Sequence, residues 1–340
     1  MKKVLLSITL IILSTSLVWA KEPEIKTISV PIIASSPETG VMLGGMAIYL
    51  KKEEQEKLKI DLGAMYTQEK QTNIFVVSNK KYSGKKIRLS ISYQDWFSKF
   101  YGLGNNTDSD SEEEYNRKGF KVRGSFSKEV TQNNYLGIIT SYEDYNLGLD
   151  KRVEGIEGTE GIDLFGLGLK YAYDSRDRQT NTRNGQYFNY EAETYHHGLT
   201  AYKFIKHKLD YRVFTELYNH HVIGFQTMLE LNRGNVPFQK LSSLGNGDIM
   251  RGILDGRYID KNKFAAQLEY RYPVYKKFDG IVFVSIGEVY NQDFEIDELK
   301  ESYGLGVRYN LDEEEGINLR FDIAFGQDDT KVYVNIGEAF

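Results

Sequence analysis

The chain has 340 residues, a formal net charge of −5 and no cysteine, and it carries 25 Tyr, 18 Phe and 31 Gly against 5 Pro. The lack of cysteine excludes disulfides, thiolate metal ligands and a thiol nucleophile, and the acidic balance gives no basis for a nucleic-acid partner. This composition is typical of a membrane barrel wall, and a secreted soluble all-β protein stays open as the alternative.

The N-terminus has the pattern of a secretory signal peptide. Lys2 and Lys3 precede an apolar run over residues 4–19, which is short for a spanning helix. We therefore expect residues 1–20 to be a signal peptide and residues 21–340 to form a single domain. No later segment approaches the roughly 18 continuous apolar residues of a transmembrane helix, so a membrane-embedded chain must cross by strands.

Alternation of polar and apolar residues, bounded by clusters of Gly, Asn, Asp and Lys, predicts an all-β chain of sixteen antiparallel strands. Most runs reach the roughly 9 to 11 residues that a tilted strand needs to cross a bilayer. An even number of strands returns both termini to the periplasm. The predicted strands are 26–36, 39–51, 57–67, 73–82, 85–97, 114–130, 133–148, 162–177, 185–197, 201–217, 220–233, 263–275, 280–291, 300–311, 316–327 and 331–340.

Loop lengths favour a transmembrane β-barrel over a soluble sandwich. The three longest connections, 98–113, 149–161 and 234–262, follow the fifth, seventh and eleventh predicted strands. Connections after even strands, such as 83–84 and 131–132, are very short. Bacterial barrels sort their loops in this way because outward connections are long and periplasmic turns are tight. The chain is therefore expected in the outer membrane of a bacterium.

The long loop carries an arginine that needs partners if the loop folds into the lumen. A buried, unpaired charge is costly, so Arg251 would require carboxylates on the wall. Strand parity turns Glu269 and Asp322 inward and places Glu288 on the opposite face. A solvated loop arginine is the alternative.

Parity also describes the last predicted strand. Val334, Ile336 and Phe340 continue the apolar row that we expect to face lipid, and Glu338 is the exception in that row.

Three segments resemble, in order, the BamA/TamA superfamily of outer-membrane assembly and translocation barrels, also called the bacterial surface antigen family. They are the strand and turn from Gly166 to Tyr187, the loop motif G-D-I-M-R-G-I, and the strands from Gln267 to Phe340. Met250 and Ile253 depart from the usual neighbours of the loop motif. The matching residues are Asp174, Arg176, Asp177 and Gly185 in the turn, and Arg251 and Gly252 in the loop.

The resemblance implies that the long loop folds into the lumen and that Arg251 contacts a glutamate at the position of Glu269. It also implies an aspartate on the next strand, where this chain has Ser285. We therefore rank Glu269 first and Asp322 second among the lumen partners, and we include Ser285 in the same group.

For the turn that holds Asp174, Arg176 and Asp177, the resemblance leaves two interpretations. A charged turn that caps a strand is favoured over a docking point for a periplasmic partner.

The resemblance further implies a protein that is not an enzyme and that helps to insert or translocate a protein or lipid at the outer membrane. Such barrels act through a weakly closed seam, here between Ser29–Ile33 and Val332–Phe340, where Gly337 would weaken the pairing. Phe340, with Ile336 and Val334, would be the signal that the barrel assembly machinery recognises.

The repeated periplasmic domains that normally receive the client are not evident in the sequence, which suggests a separate periplasmic partner. A passive pore or a surface-antigen barrel without assembly activity is the alternative function.

No pattern predicts a catalytic site, a cofactor or a metal. The adjacent pairs His196-His197 and His220-His221 point to opposite sides of a strand, so neither pair readily chelates one ion. The acidic run 108–114 lacks the glycine of a calcium loop. We expect the loop that holds this acidic run, and the wall of the barrel, to contact outer-membrane lipids and lipopolysaccharide.

Overall fold

The computed structural model describes residues 23–36, 40–54, 56–149, 158–159, 161–196, 203–292, 294, 298–327 and 330–340. The predicted signal peptide lies outside these residues. The all-β prediction is confirmed: one antiparallel sheet contains sixteen strands, each paired with its neighbours in chain order. A short hairpin interrupts this order between the eleventh and twelfth strands of the wall.

The wall consists of β1 (Glu24–Ser36), β2 (Gly40–Lys52), β3 (Glu56–Thr67), β4 (Thr72–Tyr82), β5 (Lys85–Phe100), β6 (Glu113–Thr131), β7 (Asn134–Leu149), β8 (Gly161–Asp174), β9 (Gly185–His196), β10 (Lys203–Glu216), β11 (Val222–Gly234), β14 (Asn262–Tyr275), β15 (Phe278–Tyr290), β16 (Lys300–Asp312), β17 (Ile317–Phe325) and β18 (Thr330–Ile336). The hairpin consists of β12 (Ser242–Leu244) and β13 (Tyr258–Asp260). Among the described residues, 3₁₀ helices lie at Ser109–Ser111, Tyr218–His220 and Phe238–Lys240. No helix among the described residues is long and apolar enough to cross a membrane.

Each wall strand presents an apolar row outward because successive side chains point to opposite faces of a sheet. On β8, Phe165, Leu167 and Leu169 are exposed, with Leu169 68% accessible. The alternate residues Leu164 and Ala172 are buried inside. Charged side chains such as Glu193 and Glu230 are buried inside on the following strands. Large apolar side chains outside and charges inside are the pattern of a wall that faces lipid.

The two ends of the barrel differ. We call the end that carries the connections after β5, β7 and β11 the long-loop end, and the opposite end the short-turn end. Most short-turn connections have five residues or fewer, such as 83–84 and 313–316. The turn at 175–184 is longer, with ten residues between β8 and β9.

The loop 235–261, which contains β12 and β13, packs against the wall through an apolar cluster. Leu244 is 1% and Met250 0% accessible, and both belong to one buried cluster with Val289 of β15. The space for this contact comes from Gly287, because a Cβ there would lie 3.0 Å from Leu244 Cδ2 and 3.1 Å from Met250 Sδ. Apolar burial therefore anchors the loop to the inner wall.

The two edges of the sheet meet through side chains. Within the described residues, no backbone ladder joins β1 to β18. Instead, Ile48 and Leu50, on the inner row of β2, pack against Ile317 at the start of β17. Ile28 of β1 and Ile336 of β18 border the same cluster. Lys26 of β1 also lies 2.7 Å from Glu314 and 3.6 Å from Asp312. The predicted strand pairing across the seam is therefore replaced by side-chain contacts, which carry no hydrogen-bond register.

The outward apolar row gives a test of membrane embedding. Leu169→Lys places a charge midway along β8, and we expect it to reduce the free energy of unfolding in bilayers by about 2–4 kcal/mol, because a lipid-facing cation is costly at the midplane. Leu217→Lys, in a short turn, is the matched control and should cost about 1 kcal/mol or less. Equal effects of the two substitutions, measured by urea titration, would contradict a lipid-facing wall.

Candidate functional site

The tip of the inserted loop is shaped by two residues with positive φ. Met250 has φ 57° and Gly252 has φ 101°. A Cβ on Gly252 would lie 2.8 Å from the carbonyl carbon of Phe325, so glycine is required by both conformation and space. The Gly252 amide donates to Tyr333 Oη at 3.0 Å. These contacts press the backbone of the loop tip onto β17 and β18.

The side chain of Arg251 is fully buried and holds two carboxylates. Its Nη2 lies 2.7 Å from Glu269 Oε2, and its Nη1 lies 2.7 Å from Asp322 Oδ2. Both carboxylates are also inaccessible to solvent. The guanidinium carbon lies 3.4 Å from the centroid of the Phe283 ring. A buried guanidinium is stable inside a protein only when it is paired with carboxylates and hydrogen-bonded to them.

Three further buried arginines extend this pair into a network. Arg271 Nε lies 2.7 Å from Glu269 Oε1, and Arg308 Nη1 lies 2.5 Å from Asp322 Oδ1. Arg320 Nε lies 3.8 Å from Asp322 Oδ2, and its Nη2 donates to the main chain of the inserted loop. We call Arg251, Arg271, Arg308 and Arg320 the arginine cluster.

Ser285 does not join the network. Its side chain is buried on the inner face of β15, and its Oγ has no hydrogen-bond partner among the described residues. The place of Ser285 among the lumen partners is therefore wrong. Asp322, on β17, takes the second contact with Arg251, because the loop reaches far enough across the lumen to meet that strand.

The charged residues of the Asp-x-Arg-Asp motif bond mainly within their own turn. Arg176 Nε lies 2.8 Å from Asp174 Oδ1, and the guanidinium stacks over Tyr187 with its carbon 4.3 Å from the ring centroid. Asp177 Oδ1 accepts from the Arg178 and Arg183 amides. These contacts support the interpretation of a structural turn, because Arg176 has little surface to offer a partner.

Gly185 closes that turn. It has φ 109°, and a Cβ there would lie 2.4 Å from the Ser175 carbonyl oxygen. Only glycine fits this return of the chain into β9.

The same turn reaches the turn between β16 and β17, on the other side of the short-turn opening. Thr180 Oγ1 donates to the Glu315 carbonyl at 2.5 Å, and Arg178 Nη1 donates to the Glu313 carbonyl at 3.1 Å. Arg271 Nη1 donates to the Thr182 carbonyl at 3.3 Å, and Thr182 is buried. Residues 175–184 thus cover part of the short-turn opening, a role that their spacing in the sequence did not indicate.

The expectation that Phe340 faces lipid is wrong. β18 ends at Ile336, and Gly337 has φ 97°, which breaks the strand and resets its alternation. Phe340 is then buried inside the barrel against Phe214 and Val222. Val334 does face outward, whereas Ile336 borders the apolar contact between the sheet edges.

A second group of buried charges lies where the inserted loop meets β6, β7, β10 and β11. Lys240, in the loop, lies 2.9 Å from Glu143, and burial lowers the pKa of its ammonium. Lys206 lies 2.5 Å from Glu230, and its Nζ donates to the Lys240 carbonyl at 3.2 Å. Sequence alternation could have placed these wall residues inward, but not beside the loop.

The described residues contain no group of three or more His, Asp or Glu side chains able to hold a metal ion. At the long-loop end, the Asp108 side chain instead accepts the Asp110 amide and forms a local turn.

The comparisons with known proteins identify a family and a fold. A family model described as the Omp85 superfamily domain matches residues 56–340. No curated protein matches the chain.

Three solved structures resemble the barrel. BamA from Haemophilus ducreyi lacking POTRA domains 1–3 has a TM-score of 0.60 at 16% identity, over 93% of this chain and 69% of that one. CdiB from Acinetobacter baumannii has a TM-score of 0.59 at 10% identity, over 94% and 60%. CdiB from Escherichia coli has a TM-score of 0.60 at 11% identity, over 92% and 62%. The chain thus spans less than two thirds of each CdiB chain.

The buried pairing of Arg251 gives the test of this site. Arg251→Ala leaves Glu269 and Asp322 each short of one cation, and loss of one member of a buried pair typically costs about 3–5 kcal/mol. We expect the variant to unfold at lower urea and its loop 235–261 to be cut faster by protease.

Ser285→Ala is the matched control on the same wall. Removal of an unbonded hydroxyl from a buried position should change the free energy of unfolding by less than about 1 kcal/mol. If Arg251→Ala were as mild as Ser285→Ala in both assays, the loop would not be held by this arginine.

Proposed function

The chain belongs to the Omp85 superfamily, and from that premise we propose that it assists the insertion or translocation of a protein or lipid client at the outer membrane. The observation that carries the proposal is the loop docked inside a barrel whose first and last strands share no described ladder. In the orientation that we propose for the barrel in the membrane, the short-turn end faces the periplasm and the long-loop end faces outward.

The proposed site of action is the contact between the sheet edges. Backbone hydrogen bonds hold every other strand boundary of the described wall, whereas Ile28, Ile48 and Ile317 contribute apolar packing here. At the rim of the same contact, Lys26 forms ion pairs with Asp312 and Glu314. Apolar contacts of this kind lack direction, so a client strand or an acyl chain could replace them without leaving buried amides unpaired.

The proposal includes a separate periplasmic partner that delivers the client. On this chain the partner would meet the exposed residues of the turn 175–184, such as Asp177 and Arg178, since Arg176 is occupied by Asp174.

A passive pore is less well supported. A steady open path would have to pass the loop at the arginine cluster and then the segment 175–184. The lumen does hold a cavity of about 230 Å³ beside β5, β6, β8 and β9, lined by Arg88, Arg123 and Lys170 among others.

Reconstitution tests the proposal. Vesicles that contain the protein should fold a urea-unfolded outer-membrane barrel, or exchange a fluorescent phospholipid between leaflets, at least about tenfold faster than vesicles with an inert barrel, equivalent to about 1.4 kcal/mol off the barrier. Folding is read from heat-modifiable mobility and exchange from dithionite quenching.

A steady conductance in planar bilayers, together with no acceleration of either process, would contradict assembly activity and favour the passive pore.

A further inference from the structure

The lumen contains a cavity of about 230 Å³ beside β5, β6, β8 and β9, away from the wall strands that carry the arginine cluster. Every side chain that lines the cavity carries a polar group, and none belongs to the inserted loop. Among the lining residues that the structure describes, Arg88, Arg123 and Lys170 are cations and Glu191 is the one carboxylate. We call this space the basic cavity.

The carboxylates next to the basic cavity are already paired. Glu191 lies 2.8 Å from Arg123 and 3.2 Å from Lys170, and Glu193, outside the lining, lies 2.5 Å from Arg123. Arg88 instead donates to a neighbouring asparagine at 2.8 Å and contacts no carboxylate in the described part of the wall. The Arg88 side chain is exposed to the lumen. One cation of the cavity is therefore left for an anion from outside the chain.

One acceptor in the lining also lacks a partner. Asn189 is buried, and its Oδ1 has no hydrogen-bond partner among the described residues. Buried polar atoms in proteins are nearly always bonded, so this oxygen is available to a ligand that carries a donor. Ser90 and Ser125 add hydroxyl groups on β5 and β6. A phosphate group with a hydroxyl beside it would satisfy both Arg88 and Asn189.

The inner wall next to the basic cavity is apolar, although the interior of a membrane barrel is normally polar. Val30 of β1, Met46 of β2 and Phe75 of β4 lie in one cross-strand row, with Gly63 of β3 between the last two. Met65 of β3 borders this row two residues further along its strand. The four larger side chains are half-buried. We call Val30, Met46, Met65 and Phe75 the apolar band.

Glycines beneath the large side chains keep the apolar band flat. The Phe75 ring occupies the space that a Cβ on the facing glycine of β3 would need. Met65 Cγ lies 2.9 Å from the position of a Cβ on Gly44. Asp61, in the neighbouring row, is paired with a lysine at 3.1 Å. Because methionine side chains are flexible and polarizable, the band presents an adaptable apolar surface to the lumen.

The apolar band joins the basic cavity to the contact between the sheet edges. Val77, two residues from Phe75 on β4, pairs with Ser90 of the cavity lining. At the other end, Met46 packs against the cluster that contains Ile317. Four strand spacings, about 19 Å, separate β5 from β1. An extended hydrocarbon chain that starts at the cavity can therefore lie on the band and reach the edge contact.

We propose that the basic cavity and the apolar band together bind one phospholipid, with its phosphate at Arg88 and its acyl chains on the band. Free phosphate offers the same group to Arg88, but only a ligand with hydrocarbon chains covers the band. A head group with hydroxyls, as in a phosphatidylglycerol, also donates to Asn189. The proposal rests on the proposed function, because it names a lipid as the client and uses the edge contact as the route between lumen and bilayer.

Cysteine protection in the full-length protein in detergent tests the proposal, because the chain has no cysteine of its own. The reporter is Ser125→Cys, in the cavity lining, modified by a small water-soluble thiol reagent. Dihexanoyl phosphatidylglycerol at ten times its Kd should slow the modification about tenfold, because the ligand occupies the site by mass action. It should leave Ser83→Cys, in an exposed short turn, unchanged.

Two further ligands separate the sources of the phosphate group. Dihexanoylglycerol has the same chains without phosphate, and inorganic phosphate has no chains. Each should protect Ser125→Cys only at concentrations at least about tenfold higher than the phospholipid, since each lacks contacts worth about 1.4 kcal/mol or more.

Two variants of the reporter protein separate the basic cavity from the apolar band. Arg88→Gln removes a charge-assisted hydrogen bond to the phosphate and should weaken binding of the phospholipid about tenfold. Met65→Gln makes the band polar at similar side-chain length, and should weaken the phospholipid about fourfold without changing protection by inorganic phosphate. Lys85→Gln, at an exposed position on the outer face of β5, is the matched control and should have no effect.

No protection of Ser125→Cys, or equal protection of Ser83→Cys, would overturn the proposal. So would equal binding of the phospholipid to Arg88→Gln and Lys85→Gln, or inorganic phosphate as effective as the phospholipid, which would show an anion site without a lipid ligand. If Arg88→Gln fails to fold, the comparison of the three ligands on Ser125→Cys alone decides. These assays do not require client insertion, so failure of the vesicle experiment and failure of the lipid site are separate results.

Discussion

The buried charge of Arg251 is the constraint on which the interior of this barrel depends. A guanidinium with no solvent contact must be paired, and the only carboxylates that it contacts in the described structure are Glu269 and Asp322. Each of these carboxylates binds a second arginine, Arg271 or Arg308. The position of the loop is therefore set by a network that includes three strands of the wall.

The same network extends to the short-turn end. From Glu269 it continues through Arg271 to the Phe340 carbonyl and to the turn 175–184, and from Asp322 it continues through Arg308 to Glu338. The loop that enters from one end and the segments that cover the other end thus share the same buried charges.

The sequence predicted what depends on local periodicity. The alternation of polar and apolar residues predicted the all-β wall and its inward charges, because the side to which a strand residue points follows directly from backbone geometry. Inward parity allowed Glu269 and Asp322 to meet Arg251, but it could not exclude Ser285, because the depth of the loop is set by long-range packing at Leu244 and Met250. The resemblance to a family was needed to place that loop in the lumen.

Two features were not predictable from periodicity. In the sequence, the alternation of polar and apolar residues continues to Phe340. In the structure, the positive φ at Gly337 reverses which of the last residues face inward. The coverage of the opening by residues 175–184 depends on contacts with Glu313 and Glu315, more than 130 positions away. In both cases the decisive contacts lie between segments that are distant in sequence or on opposite walls.

The central claim is that one buried network holds both the loop and residues 338–340. A double-mutant cycle between Arg251→Ala and Glu338→Gln, read as free energy of unfolding in bilayers, tests it most directly, because the ion pairs that join these two residues run through Asp322 and Arg308. The account predicts a coupling energy of about 0.5 kcal/mol or more, whereas additivity within about 0.3 kcal/mol would show two independent sites and contradict it.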